Sequence, residues 1–400
     1  MRASANQGLA MKKTGITFTL LLLAFAGAAL ADATEDFNTL LDEHWQWTLK
    51  NSPVMASMMG DRRYNREWGD SSIGAIEQRS KEERDFLRRA YAIDRDGLSE
   101  EDKLNHELFR RQLQDNVDEF QFNGHLLPFG QRGGVQNIDG LTNQLRLVTV
   151  EDFDDWLARL GQIDVVIDQV IALAEQGRKT DMMPPRIIME RIPDQIAAQV
   201  VEFPADSPFF KPFDKLPESF SAADRERLRS EATEVIEETI LPAYRKLDRY
   251  FNDKYLPATR DSVGLSALPN GSAWYEMRAR SYTTTRLTPD EIHRIGLDEV
   301  KRIRDEMMGI IEEVEFDGTF QAFLEHLRTD PQFYFDNPDD LYQEYLATSK
   351  RIDPELVKLF GKLPRMPYGV KPIPDAIAPD TTTAYYSRPA ADGSRAGIYW

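Results

Sequence analysis

The sequence predicts a predominantly helical, all-α protein with a small β-hairpin or sheet element near its C-terminus. Three observations carry this. Helix-start signals recur along the chain, and Thr288-Pro289-Asp290-Glu291 is the fullest of them, a capping box with proline at the first helical position. Apolar residues then follow at helical spacing: Ile292, Ile295, Val300, Ile303, Met307, Ile310 and Val314. Strand composition is confined to the end of the chain. There Thr381-Thr382-Thr383-Ala384-Tyr385-Tyr386 is β-branched and aromatic, Asp392-Gly393-Ser394 signals a turn, and Ile398-Tyr399-Trp400 begins a returning strand.

The first segment, 1–31, reads as a signal peptide. Met11-Lys12-Lys13 is a short basic start, an apolar run extends from Ile16 to Ala29, and Ala29-Leu30-Ala31 has the small-x-small cleavage pattern. The apolar run is short of the roughly 20 residues that span a bilayer, so no stable membrane anchor is expected. Export to the periplasm or the extracellular space follows, with 32–400 as the mature helical domain. The chain contains no cysteine. This excludes disulfides, lipid attachment at cysteine, thiolate metal ligands and thiol nucleophiles, and leaves core packing to hold the fold together. The formal net charge of −18 falls to −21 when Arg2, Lys12 and Lys13 leave with the signal. A polyanion of that size repels nucleic acid and anionic membranes.

Helices are predicted over 35–50, 73–91 and 100–119. A further helix over 151–176 is expected to close at Gly177. Ser221-Ala222-Ala223-Asp224 opens a helical stretch towards Phe251, expected to bend at Pro242. The helix begun at Thr288 is expected to stop at Asp317-Gly318. Asn337-Pro338-Asp339-Asp340 and Asp353-Pro354-Glu355 open two more, the last stopping at Gly361. Residues 363–379 are proline-rich and read as irregular.

Local motifs point to no complete catalytic site. Zinc hydrolysis commonly uses two histidines four apart on one helix face with a glutamate between them. The closest of the five histidines, His106 and His125, are nineteen residues apart. His106-Glu107-Leu108-Phe109-Arg110 begins like that motif but carries arginine at the second histidine position, and reads as an exposed helical His–Glu pair. Gly-x-Ser-x-Gly and both nucleotide-cradling glycine motifs are missing. Gly264-Leu265-Ser266-Ala267-Leu268 matches only the first half of the serine-hydrolase elbow. Gly130-Gln131-Arg132-Gly133-Gly134 reads as a connecting loop.

Two stretches carry a family resemblance. One runs from Gly264 to Gly271 and through Trp274-Tyr275, Tyr282-Thr283-Thr284-Thr285, the segment from Leu287 to Leu297, Glu299-Val300 and Glu306-Met307. The other is Ala384-Tyr385-Tyr386, Pro389 and Asp392-Gly393-Ser394-Arg395-x-Gly397. Together with Leu127-Pro128, Gln131 and the segment from Asp155 to Leu160, the chain resembles the bacterial family called domain of unknown function 885. Ala396 departs from that pattern, which has proline there.

The resemblance implies an all-helical zinc metallopeptidase of the His-Glu-x-x-His class with a small sheet beside the metal helix. In that pattern the zinc motif follows the Asp-Gly-Ser-Arg strand, and so falls beyond Trp400. The expectation is an N-terminal scaffold with part of the substrate cleft, incomplete at its C-terminus, holding no catalytic or metal-ligating residues itself. Zinc is expected only with the downstream motif. Ending there also predicts an unpaired strand edge, unburied apolar helix faces and poor solubility. Tyr385, Tyr386 and Arg395 are the expected substrate-facing residues for a peptide or peptide-like ligand, with Asp392 shaping the turn or orienting Arg395. The competing reading is a non-enzymatic exported helical binding or scaffold protein. A carboxylate-based glycan hydrolase is a weaker third.

Overall fold

The computed structural model describes residues 33–373, 378, 382–390, 393 and 395–400. The segment read as a signal peptide, 1–31, lies outside the described residues, as does Asp392. The rest is predominantly helical with one small three-stranded sheet, as expected. No helix among the described residues is long and apolar enough to cross a membrane. The chain forms two compact units, one of residues up to Ser57 with Arg62–Thr284, the other of Met58–Asp61 with Thr285–Trp400.

In the first unit, a helix over 33–51 packs with Ile73–Ala92 and Glu100–Phe120. Ser72 and Ser99 cap the latter two by accepting from Ala75 N–H and Asp102 N–H. Leu40, Phe86, Leu87, Ala90 and Leu113 form their shared core. His106 corrects an expectation here. It is buried at 1 % exposure, its Nε2 lies 2.7 Å from Ala90 O, and its ring meets Phe37 edge-on. Only Glu107 of the pair faces outward. The histidine lies on the side of the helix that carries Leu113, so it fills core rather than surface.

The expected 151–176 helix is two helices, Val150–Leu160 and Ile163–Lys179, interrupted at Gly161-Gln162. Thr149 and Asp152 form a reciprocal capping box at the first. Gly177 does not end the second, which continues to Lys179. Gly177 is buried inside it, and a Cβ there would stand 2.5 Å from Leu126 O and 2.9 Å from Met182 O. Close approach, not a left-handed cap, requires glycine at this position.

The capping box also sets an acid-sensitive point. The Asp152 side chain is only 3 % exposed; it accepts from Val148 N–H at 3.0 Å, Thr149 N–H at 2.8 Å and Arg62 at 2.5 Å. Burial pushes its pKa up, but the Thr149 and Val148 bonds and the Arg62 charge outweigh it, leaving the group below the ordinary aspartate value. A depressed carboxylate contributes stability above its unfolded pKa of about 3.9 and loses that contribution as pH falls through the folded value. Asp152→Asn is therefore expected to cost roughly 1–2 kcal/mol at pH 7. Urea titrations of both proteins should show that gap narrowing as pH falls below the ordinary aspartate range and the wild-type carboxyl also protonates.

Pro242 is accommodated by widening the helix. After Ala222–Val235 the chain makes a π turn over Ile236–Ile240, in which Leu241 N–H reaches back to Ile236 O, and helix resumes over Leu241–Tyr250. Proline has no N–H for the fourth residue back and crowds that carbonyl, which the wider turn avoids. The same device recurs before Pro257, where Leu256 N–H bonds Phe251 O across a second π turn, Phe251–Tyr255. Ile236, Ile240, Tyr244, Leu247, Phe251 and Tyr255 from this rod are all fully buried.

The second unit opens with the expected capping box, Thr288 and Glu291 bonding each other's backbone, and the helix Pro289–Glu313 with proline in its first turn. It ends before Asp317-Gly318: Val314 caps it and Glu315 turns left-handed at φ 53°. Of its periodic apolar residues, Ile295, Val300, Ile303, Met307 and Ile310 are exposed, and Ile311 is buried instead. Phe320–Thr329 and Pro338–Ile352 follow, the latter capped by Asn337. Asp353-Pro354-Glu355 makes one 3-10 turn leading into the short helix Leu356–Leu359, which ends just before Gly361. Within the stretch read as irregular lies a strand, β1 (Tyr368–Val370). A three-residue strand set between Pro367 and Pro372 is too short to show a period.

Candidate functional site

Of the expected substrate residues, Tyr385, Tyr386 and Arg395 lie on and beside the sheet of the second unit. Its strand order is β1-β3-β2, with β2 at Tyr386–Ser387 and β3 at Gly397–Tyr399. β3 is central: it pairs parallel with β1, Tyr368 opposite Gly397, and antiparallel with β2, Tyr386 opposite Tyr399. Tyr385 and Trp400 extend the antiparallel pairing by exchanging backbone bonds of 3.2 and 2.8 Å. The predicted strand beginning at 381 is thus shorter and later than its composition suggests, while the returning strand falls where expected.

Strand alternation sorts the side chains onto two faces. Tyr368, Val370, Tyr386, Gly397 and Tyr399 share one. The Pro338–Ile352 helix packs there: Tyr345 lies 6.1 Å from the Tyr399 ring, and Tyr342 O–H donates to Val370 O at 2.9 Å. Tyr368 O–H donates to Asp353 Oδ1 at 3.0 Å, and burial followed by that carboxylate raises the phenol's pKa. Tyr386 reaches diagonally over Gly397, where a Cβ would stand 1.9 Å from its hydroxyl. Glycine is needed for this close approach. Tyr385, Ser387, Ile398 and Trp400 occupy the other face. Tyr385 and Trp400 stack with ring centroids 6.0 Å apart, and Trp400 Nε1–H donates to Ser387 Oγ at 2.8 Å.

Tyr385 and Tyr386, expected together, therefore point to opposite faces. Tyr385 is half-buried and Tyr386 is 54 % exposed. Arg395 is exposed at the turn before β3, where its carbonyl accepts from Ala390 N–H at 2.9 Å and Gly393 adopts a left-handed φ of 76°. Its guanidinium has no ion-pair partner among the described residues. Trp400 and Ser387 were not among the predicted site residues. Period-two alternation groups Ser387 with Tyr385, and only the strand pairing brings Trp400 beside them.

Chemically, this arrangement offers phenol and indole donors, an aromatic face and one guanidinium for an anionic group. Among the described residues it offers no general base. No group of three or more histidine, aspartate or glutamate side chains able to hold a metal occurs among the described residues. His106 is engaged by Ala90 O, His44 packs against Phe86 and Phe109, His125 stacks on Phe120, and His326 lies 3.3 Å from Asp330. The described residues therefore do not fit a zinc centre.

The family described as "Bacterial protein of unknown function (DUF885)" matches residues 53–400. Among solved structures, the chain is similar to one described as "the putative lipoprotein from Colwellia psychrerythraea", with a TM-score of 0.77 and 20 % identity over 94 % of this chain and 67 % of that one. That likeness is one of fold. No curated protein matches the chain.

Proposed function

The chain belongs to the bacterial DUF885 family, and on that premise we propose that it forms the N-terminal scaffold and one cleft wall of an exported peptidase-like hydrolase. In this reading the His-Glu-x-x-His zinc motif lies in polypeptide beyond residue 400, and zinc enters only with it. The supporting observation is the C-terminal sheet, which stacks the Tyr385 and Trp400 rings at one end of the β2–β3 pair and carries Arg395, without an ion-pair partner among the described residues, at its turn end. Export rests on the leader pattern of residues 1–31. The Colwellia protein's description as a lipoprotein is consistent with export, although this chain has no cysteine to carry lipid.

A peptide would lie along the sheet with its C-terminal carboxylate on the Arg395 guanidinium, a bidentate, charge-assisted contact. Such a bond contributes roughly 1.5–3 kcal/mol, or about ten- to a hundredfold in affinity. Arg395→Gln in the full-length protein is expected to raise KM for free-acid peptides by about tenfold or more, with kcat little changed. The same peptides amidated at the C-terminus should bind equally poorly to both proteins. An unchanged KM in the variant would remove Arg395 from the cleft. The first test is simpler: the coding sequence after codon 400 is expected to contain His-Glu-x-x-His, and its absence there would overturn the peptidase reading.

The exposed apolar residues of the Pro289–Glu313 helix favour a second reading, a non-enzymatic exported binding or scaffold protein that presents this face to a partner. Calorimetric zinc titration of the full-length protein separates the two. The peptidase reading expects one zinc per chain, the scaffold reading none.

A further inference from the structure

The motif-like segment that failed as a zinc site has a different chemistry on its outer side. Glu107, Arg110, Arg111 and Asp115 recur at helical spacing on one face of Glu100–Phe120. With Tyr91 and Arg95 they line a cleft of about 510 Å³. Most of its charges are already matched. Arg95 lies 3.8 Å from Glu107, and Arg111 Nε lies 3.9 Å from Asp115. Arg111 also donates to Ser281 O at 2.8 Å, and Ser281 Oγ donates to Asp115 at 2.7 Å.

Arg110 is left over. Its guanidinium carbon sits 3.9 Å from the Tyr91 ring centroid, and its Nε is buried without a hydrogen-bond partner. Its terminal nitrogens have no acceptor among the described residues. Stacking on an aromatic face holds the fork in one plane, which lowers the entropy lost when it binds a planar or tetrahedral oxyanion. A concentrated cation is also unexpected in a chain of net charge −18. Three arginines against two carboxylates leave this cleft one positive charge, where the general surface repels anions.

We propose that the Tyr91–Arg110 cleft binds the carboxylate or phosphate group of a small molecule, with the Arg110 fork as its bidentate donor and Arg95 and Arg111 as flanking cations. The volume fits a small ligand rather than a bare ion.

Calorimetric titration of the full chain at low ionic strength with inorganic phosphate and, separately, with succinate tests this and distinguishes the two sources. One of them is expected to bind saturably at a single site. Arg110→Gln should weaken that binding at least tenfold, and Arg110→Lys, which keeps the charge but not the fork, by a smaller factor. Absence of saturable binding by either anion, or equal affinity in Arg110→Gln, overturns the proposal. Should the variants fail to unfold cooperatively, phenylglyoxal modification of the wild-type chain replaces them. Saturating anion is expected to slow modification of Arg110 at least threefold, and an unchanged rate overturns the assignment.

Discussion

Gly177→Ala is expected to lower unfolding stability by about 2 kcal/mol, although alanine is the better helix former. In a free helix the change would stabilise by roughly 1 kcal/mol, because glycine loses more backbone entropy on folding. Here the new methyl would stand 2.5 Å from Leu126 O and 2.9 Å from Met182 O, and both are backbone atoms. Met182 N–H bonds Gly177 O at 2.9 Å, so the chain beyond the helix cannot withdraw without breaking that bond. The Leu126 carbonyl belongs to the residue that closes the Gly124–Leu126 turn and is itself buried. Overpacking of this kind costs roughly 1–3 kcal/mol and outweighs the propensity gain. Gly161→Ala is the control. The nearest atoms to a Cβ there lie 3.7 Å away, in ordinary contact. Urea denaturation is expected to move the midpoint down for Gly177→Ala, with the slope unchanged, and to leave Gly161→Ala near wild type. Equal midpoints for the two variants would refute the close-approach account.

Arg159→Met is expected to cost about 3 kcal/mol, the larger of the two effects. Arg159 is 1 % exposed, beside Trp156 at the end of Val150–Leu160. Burial lowers its pKa to about 10, with Asp155 opposing, so it is a cation at neutral pH and its charge must be met. Its Nη2 donates to Ser57 Oγ and Tyr64 O, each at 2.9 Å, and its guanidinium carbon lies 5.3 Å from the Trp68 ring centroid. Methionine fills most of the volume but leaves both acceptors without their donor. Asp155 keeps Arg62 and Arg66 at 3.3 and 3.4 Å, which limits the loss to the lower end of the range for a broken buried pair. Arg159→Lys should recover only part of it, because one ammonium on a flexible stem does not reproduce the fork. A loss below about 1 kcal/mol for Arg159→Met would mean that this cation does not anchor Ser57 and Tyr64 to the helix.

Gly177 and His106 mark where sequence reasoning stopped. Gly177 falls at the end of an apolar period, which is where a C-cap glycine also falls. Cap and close approach are indistinguishable until Leu126 O is in place. His106 heads the helical spacing of Phe109, Leu113 and Val117, but a titratable residue at the edge of that stripe reads as surface until Ala90 and Phe37 are in place around it. At the candidate site, composition marks a strand near Tyr385-Tyr386 and a turn before β3, and only the family resemblance singles out these residues for substrate. The pairing of Tyr386 with Tyr399 then assigned the two tyrosines to opposite faces. It also brought in Trp400 and Ser387, which no motif marks.

By itself the sequence determined the helical class, the location of the sheet near the end of the chain and the helix starts at Ser72, Ser99, Ser221, Thr288 and Asn337. Each of those caps is a bond between groups at most three residues apart, so its energetics are complete within the local chain. The tertiary structure alone decided that the 150–179 segment breaks at Gly161, that β1 exists between two prolines, and that Arg110 faces a cleft while His106 faces the core. Those outcomes depend on atoms far away in sequence, and no local period or propensity contains them.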